Sequence, residues 1–129
     1  GMKRLAEIVE TDDHLFWKLA PNTSLSRGEG PFFGVIANHQ GLREDHEIPP
    51  QKPSAGMRVL FLGDSCTFGY GLLHTEGYVD VAEQLLNKQL NKPVECVNAG
   101  VPGYTLFQGW QLWKTFGNQL DPDIVVVCF

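Results

Sequence analysis

Val59-Leu60-Phe61-Leu62 runs straight into Gly63-Asp64-Ser65, and this junction limits the possible folds more than any other stretch. An apolar run of that length and residue type reads as a strand buried on both faces, which occurs in parallel sheets covered by helices. The turn after it carries a hydroxyl nucleophile, and Gly63, Gly69 and Gly71 let the backbone turn sharply and come close to a ligand. Ligands in open α/β sheets bind beyond the carboxyl ends of the strands, where helix N-termini present unpaired N–H groups. Ser65 stands at such a junction.

Downstream the pattern alternates. Thr75 is placed to cap a helix from Glu76 to about Asn91, with Tyr78, Ala82, Leu85, Leu86 and Leu90 on the face toward a sheet and Asp80, Glu83, Asn87 and Lys88 on the other. Lys92-Pro93 ends that helix, Val94 to Val97 reads as a second parallel strand, and a loop from Asn98 to Tyr104 follows. Thr105 and Gln108 have capping-box spacing for a helix to about Asn118, whose Trp110, Trp113 and Phe116 form an aromatic face expected in the core. Ile124 to Phe129 is a third, wholly apolar strand. Strand, helix, strand, helix, strand is one half of a doubly wound sheet.

The block Gly63-Asp64-Ser65-Cys66-Thr67-Phe68-Gly69-Tyr70-Gly71 resembles the first signature of the GDSL, or SGNH, hydrolases. Val97-Asn98-Ala99-Gly100-Val101-Pro102-Gly103-Tyr104 is similar to the second, and Asp121-Pro122-Asp123-Ile124-Val125-Val126-Val127 to the strand that leads into the third. The resemblance implies a flavodoxin-like three-layer α/β/α fold with a parallel sheet, here truncated to about three sheet strands and preceded by an irregular N-terminal segment. It divides the chain into residues 1–56, an extension of loops with a short helix, and residues 57–129, the front portion of a hydrolase domain. It implies a serine ester hydrolase of the esterase, lipase or acylhydrolase type. Ser65 would be the nucleophile, and the N–H groups of Ser65 and Gly100 would donate to the oxyanion. No cofactor or metal is called for. The family's Gly-x-Asn-Asp and Asp-x-x-His elements, which supply a third donor and the base, find no counterpart in the chain, so residues 1–129 alone are expected to be inactive or severely impaired. Acetylated sugars, lipid esters, thioesters and peptidoglycan acetyl groups all fit as substrates of such a family.

The rest of the chain is less telling. Met2 to Glu10 has the spacing of a short amphipathic helix, and His14 to Leu19 is an apolar segment expected to cover part of the core. Pro21 to Gly56 reads as loops with at most a short strand or hairpin around Phe32-Phe33 and Val35-Ile36. Asn38-His39-Gln40-Gly41-Leu42-Arg43 resembles an Asn-x-x-Gly-x-Arg element of some longer GDSL-type proteins, which leaves Arg43 two readings: a fork for a substrate carboxylate or phosphate, or a surface residue paired with Glu44 or Asp45. His14, His39, His46 and His74 read as surface or capping histidines, with folding left to decide whether His39 or His46 approaches Ser65. Cys66, Cys96 and Cys128 are odd in number and widely spaced, and they read as reduced core thiols rather than a disulfide framework or zinc site.

A formal charge of −5 with no basic stretch argues against nucleic acid as partner. No apolar run approaches a membrane span, and no signal segment opens the chain, which reads as cytoplasmic if Met2 is the native start. The strand Ile124 to Phe129 would be internal in the full sheet order, so as an edge it is expected to join a second copy unless the N-terminal residues fold over it. Two rival readings come from other classes. A Ser- and Gly-rich loop after a first strand also suits a nucleotide- or flavin-binding module, although such a site has no use for the 98–104 loop. A non-catalytic interaction domain would leave Ser65 as a turn residue only.

Overall fold

The computed structural model describes residues 5–26 and 34–129. In chain order they form an antiparallel pair, β1 (Val9–Asp12) and β2 (Phe16–Leu19), then β3 (Met57–Gly63), α1 (Ser65–Phe68), α2 (Tyr78–Gln89), β4 (Val94–Gly100), α3 (Leu106–Thr115) and β5 (Ile124–Cys128). Short 3₁₀ turns lie at His74–Glu76 and Gly117–Leu120. The sheet is parallel in the order β4-β3-β5, with Gly63 opposite both Gly100 and Cys128 at its carboxyl edge.

Alternation along β3 builds the three layers. Val59 and Phe61 pack with Val79, Ala82 and Leu86 of α2, whereas Leu60 and Leu62 pack with Leu112, Trp113, Phe116 and Leu120 on the α3 side. Both faces are thus covered, which is why β3 carries no polar alternation. Arg58, fully buried at the start of the strand, ties the layers at the opposite end: its Nε meets Glu95 Oε1 at 2.6 Å, and its Nη1 donates to the carbonyls of Pro49 (2.7 Å) and Leu120 (2.5 Å).

The two sheet edges are treated differently. On β4 the N–H groups of Val94, Cys96 and Asn98 donate to Asn87 Oδ1 (2.9 Å), Glu83 Oε1 (2.8 Å) and Glu44 Oε1 (2.7 Å). Glu83 and Asn87, expected on the outer face of α2, therefore face the sheet edge, and the helix face against the sheet is Val79, Ala82 and Leu86. Tyr78, Leu85 and Leu90, expected to be buried, are exposed. Along β5, by contrast, no described strand pairs with the outer edge.

Other expectations are corrected. The cap of α2 is Gly77 rather than Thr75, because Gly77 is extended (φ −71°, ψ 154°) and the Glu76 carboxylate closes the preceding turn by accepting from Leu73 N–H at 2.9 Å. Strand β4 continues through Gly100 instead of ending at Val97, and α3 stops at Thr115 before a 3₁₀ turn. The expected helix over Met2 to Glu10 does not hold at its end, where Val9 and Glu10 pair with Leu19 and Lys18; residues 2–4 lie outside the described ones. The reversal after β1 is closed by Asp12, whose Oδ1 accepts from the N–H groups of His14 and Leu15, both at 2.9 Å. Phe32 and Phe33 also lie outside the described residues, while Ile36 forms an isolated bridge with Ser24.

The aromatic face of α3 is split: Trp113 and Phe116 pack on the core as expected, whereas Trp110 does not. Trp110 is 56% and Leu106 64% exposed, and they line an apolar groove with Leu62, Gly109, Trp113, Val125, Val127 and Phe129 beside the open edge of β5. Among the described residues no helix is long and apolar enough to cross a membrane.

Candidate active site

The carboxyl edge of the sheet is where the two sequence blocks meet. Asp64 caps α1, its Oδ1 accepting from Cys66 N–H at 2.9 Å, so Ser65 is the first residue of that helix and lies half-buried at the mouth of the turn. Neither the hydroxyl nor the N–H of Ser65 has a partner among the described residues. A free hydroxyl beside a free N–H at a helix start is open to an electrophile and to the negative charge that develops on it.

Gly100, expected to lend its N–H to that charge, sits differently. It is the buried last residue of β4, and its N–H donates to Asn98 Oδ1 at 3.0 Å. What the position requires is the absence of a side chain: a Cβ there would lie 2.4 Å from Phe68 N and 2.8 Å from Thr67 C, since α1 crosses directly over it. In the loop that follows, Val101 N–H donates to Gly63 O (3.1 Å) and Tyr104 N–H to Val101 O (3.1 Å), and Pro102 has no N–H to give. Gly103 alone in this loop keeps an N–H without a partner among the described residues, and it is exposed with φ +82°.

The N-terminal pair of strands fastens that loop. Trp17 Nε1 donates to Pro102 O (3.1 Å), Tyr104 Oη donates to Trp17 O (2.6 Å), and the two rings meet edge to face at 5.9 Å. Ile8, Leu15 and Leu19 share one core with Phe68, Val101 and Tyr104, so these residues brace both blocks. Leu15 and Leu19 thus cover part of the core as expected of the 14–19 segment, but the hold of Trp17 on the loop has no local signal, because its bonds span 85 and 87 residues.

Arg43 fits neither of its sequence readings. It is buried at 1% exposure and pairs with neither Glu44 nor Asp45; its guanidinium donates to the carbonyls of Phe68, Gly69 and Leu72. Its burial rules out an open anion fork. Asn98, also missed, joins the same region: its Nδ2 donates to Thr67 O at 3.0 Å.

None of the four histidines bonds to Ser65. His39 Nδ1 faces Asn22 Nδ2 (3.3 Å), His46 Nδ1 meets Asp45 Oδ1 (2.7 Å), and His74 Nε2 lies 3.6 Å from Asp45 Oδ2. The bond to Asp45 raises the pKa of His46. The cysteines are all free: Cys96 is buried, and burial pushes its thiol up to about 12, whereas Cys66 and Cys128 are exposed. Cys128 is not a core thiol because it lies on the uncovered strand β5.

Burial also pushes the Glu44 carboxyl up from 4.5 to about 8, against the opposing effect of its bond from Asn98 N–H. The folded protein therefore holds a proton there that the unfolded chain releases, and stability falls as pH rises from about 4.5 to about 8. Glu44→Gln keeps the acceptor for Asn98 and removes the titration. Urea denaturation should show the variant gaining on wild type between pH 5 and pH 8. An unchanged pH dependence would contradict the buried, protonated carboxyl.

A parallel sheet covered by helices on both faces, with an unpartnered serine at its carboxyl edge, defines an α/β protein with a hydroxyl open to a ligand. The profile of the GDSL-like Lipase/Acylhydrolase family matches residues 61–129, and the chain belongs to that family. A comparison with curated proteins gives no match.

Proposed function

We propose that the chain carries the nucleophile half of a serine ester hydrolase, with Ser65 attacking the carbonyl of an acyl ester. The observation that carries this is the placement of Ser65 at the start of α1, with its hydroxyl and its N–H both unpartnered among the described residues. Family membership favours this chemistry over a flavin- or nucleotide-binding module.

In this reading, a base takes the hydroxyl proton as Oγ bonds to the carbonyl carbon, and the carbonyl oxygen becomes an oxyanion. Ser65 N–H is one donor to it. The second donor is assigned to Gly103, because the N–H of Gly100 is already committed to Asn98. Collapse of the tetrahedral intermediate expels the alcohol and leaves an acyl-Ser65, which water then hydrolyses. None of His14, His39, His46 and His74 is bonded to Ser65, so the base is assigned to the Asp-x-x-His element that the family resemblance implies. Residues 1–129 by themselves should then show little or no turnover of p-nitrophenyl acetate, while the full-length protein turns it over. A rate equal to that of the full-length protein from residues 1–129 alone would contradict the assignment of the base.

We also propose that the polypeptide of residues 1–129 associates with itself through β5. Its edge, Ile124-Val125-Val126-Val127-Cys128, has no charge or proline to block pairing, whereas side chains cover the edge of β4. The described N-terminal residues bond to β4 and to the loop after it rather than folding over β5. Size-exclusion with light scattering should give a dimer or larger species. A monomer whose β5 amides exchange rapidly would sink the proposal.

A further inference from the structure

We propose that Arg43 is a positioning residue for Ser65, holding the nucleophile turn in place through the carbonyls at the far end of α1; this rests on the reading of Ser65 as nucleophile. A helix of four residues has no stability of its own, because nucleation is costly and few internal bonds repay it. Its last carbonyls have no donors within the helix. Each is met from outside or by the turn that follows. Ser65 O accepts from the N–H groups of Gly69 and Tyr70, both at 3.0 Å, and Thr67 O from Asn98 Nδ2 at 3.0 Å. Cys66 O accepts from Gly69 N–H at 3.2 Å, and Arg43 serves the end of the helix and the turn after it: Nη1 donates to Phe68 O and to Gly69 O (2.9 Å), and Nη2 to Leu72 O (2.5 Å).

The guanidinium also lies over the Phe68 ring, 4.2 Å from its centroid. Burial lowers its pKa to about 10, which leaves it charged at neutral pH and suited to the negative end of a helix. Arg43 is itself fixed. Asn98 O accepts from Arg43 N–H at 3.1 Å, and the adjacent Glu44 accepts from Asn98 N–H at 2.7 Å, so one dipeptide is hooked to β4 while its guanidinium grips α1. The Asn-x-x-Gly-x-Arg spacing builds the mount, since Asn38 Oδ1 accepts from Leu42 N–H at 2.9 Å and Gly41 turns the chain at φ +76°. At 1% exposure Arg43 does not reach a substrate, so its effect on turnover must pass through Ser65. Lysine is no substitute: a single ammonium cannot span three carbonyls as a planar fork does.

The test compares Arg43→Lys, Arg43→Ala and Ser65→Ala with wild type in the full-length protein, using p-nitrophenyl acetate. Misplacing a reacting group by about 1 Å costs about 100-fold, so Arg43→Lys should lose about 10- to 100-fold in kcat with KM within about twofold. Amides of residues 65–72 should exchange faster while those of β3 and β4 do not, and millimolar guanidinium should restore part of the kcat of Arg43→Ala. A folded Arg43→Lys with wild-type kcat, beside an inactive Ser65→Ala, overturns this inference alone. So does a loss of kcat accompanied by faster exchange in every element and no rescue, which marks a general stabilising role. Should Arg43→Ala not fold, Arg43→Lys decides by its kcat and exchange pattern. Turnover retained by Ser65→Ala overturns the nucleophile reading, and this inference with it.

Discussion

Gly100→Val should lower the stability of the fold by about 3 kcal/mol or more, among the larger effects open to a single surface-distant substitution. The new Cβ would meet Phe68 N at 2.4 Å, Thr67 C at 2.8 Å and Thr67 Cβ at 2.9 Å, two of them backbone atoms. Backbone yields only if α1 moves, and α1 is fastened by Asp64 at its start and by Asn98 and Arg43 at its end. Gly71→Ala is the control. Its Cβ would meet nothing within 4 Å, and only the positive φ of +82° stands against it, a cost of about 1 kcal/mol. Urea denaturation of the two variants separates the cases. A Gly100→Val protein no less stable than Gly71→Ala would show that α1 does not rest on the end of β4.

Ser65→Ala should act on turnover and leave the fold alone. The hydroxyl is half-buried and bonds to no described residue, so its loss should change stability by less than about 0.5 kcal/mol. Removing the nucleophile from a concerted constellation costs about 10⁴-fold or more in kcat, because attack, proton transfer and acyl-enzyme formation all go with it. The assay is p-nitrophenyl acetate hydrolysis by the full-length protein, with circular dichroism to confirm the fold. Turnover within a few-fold of wild type would remove Ser65 from the chemistry.

The sheet was legible in the sequence because its signals are local. Val59 to Leu62 is apolar without alternation, and the capping-box spacing of Thr105 and Gln108 appears as Gln108 Oε1 accepting from Thr105 N–H at 2.8 Å. The face of α2 was misjudged for a reason that lies outside the helix. Glu83 and Asn87 are polar, yet the unpaired N–H groups along β4 draw them inward. The Trp110 face was misread in the opposite sense, since its exposure follows from the open edge of β5 and not from its own periodicity. In the site, the Ser65 turn was readable from glycine spacing. The tasks of Gly100, Arg43 and Trp17 were not, because each is set by a partner 25 to 85 residues away or by a backbone that crosses overhead. Arg43 shows the difficulty most clearly: two acidic neighbours in sequence suggested a surface pair, while folding brought it three carbonyls from residues 68–72.

Covalent labelling tests Ser65 as the nucleophile without knowledge of the natural substrate. A fluorophosphonate forms a stable phosphonyl adduct only with a hydroxyl that a base has activated beside an oxyanion site, because fluoride is expelled as the Oγ–P bond forms. Incubated with the full-length protein and followed by intact mass and peptide mapping, it should give one adduct per chain, on Ser65, absent from Ser65→Ala. No adduct, or an adduct on a different residue that persists in Ser65→Ala, would contradict the account.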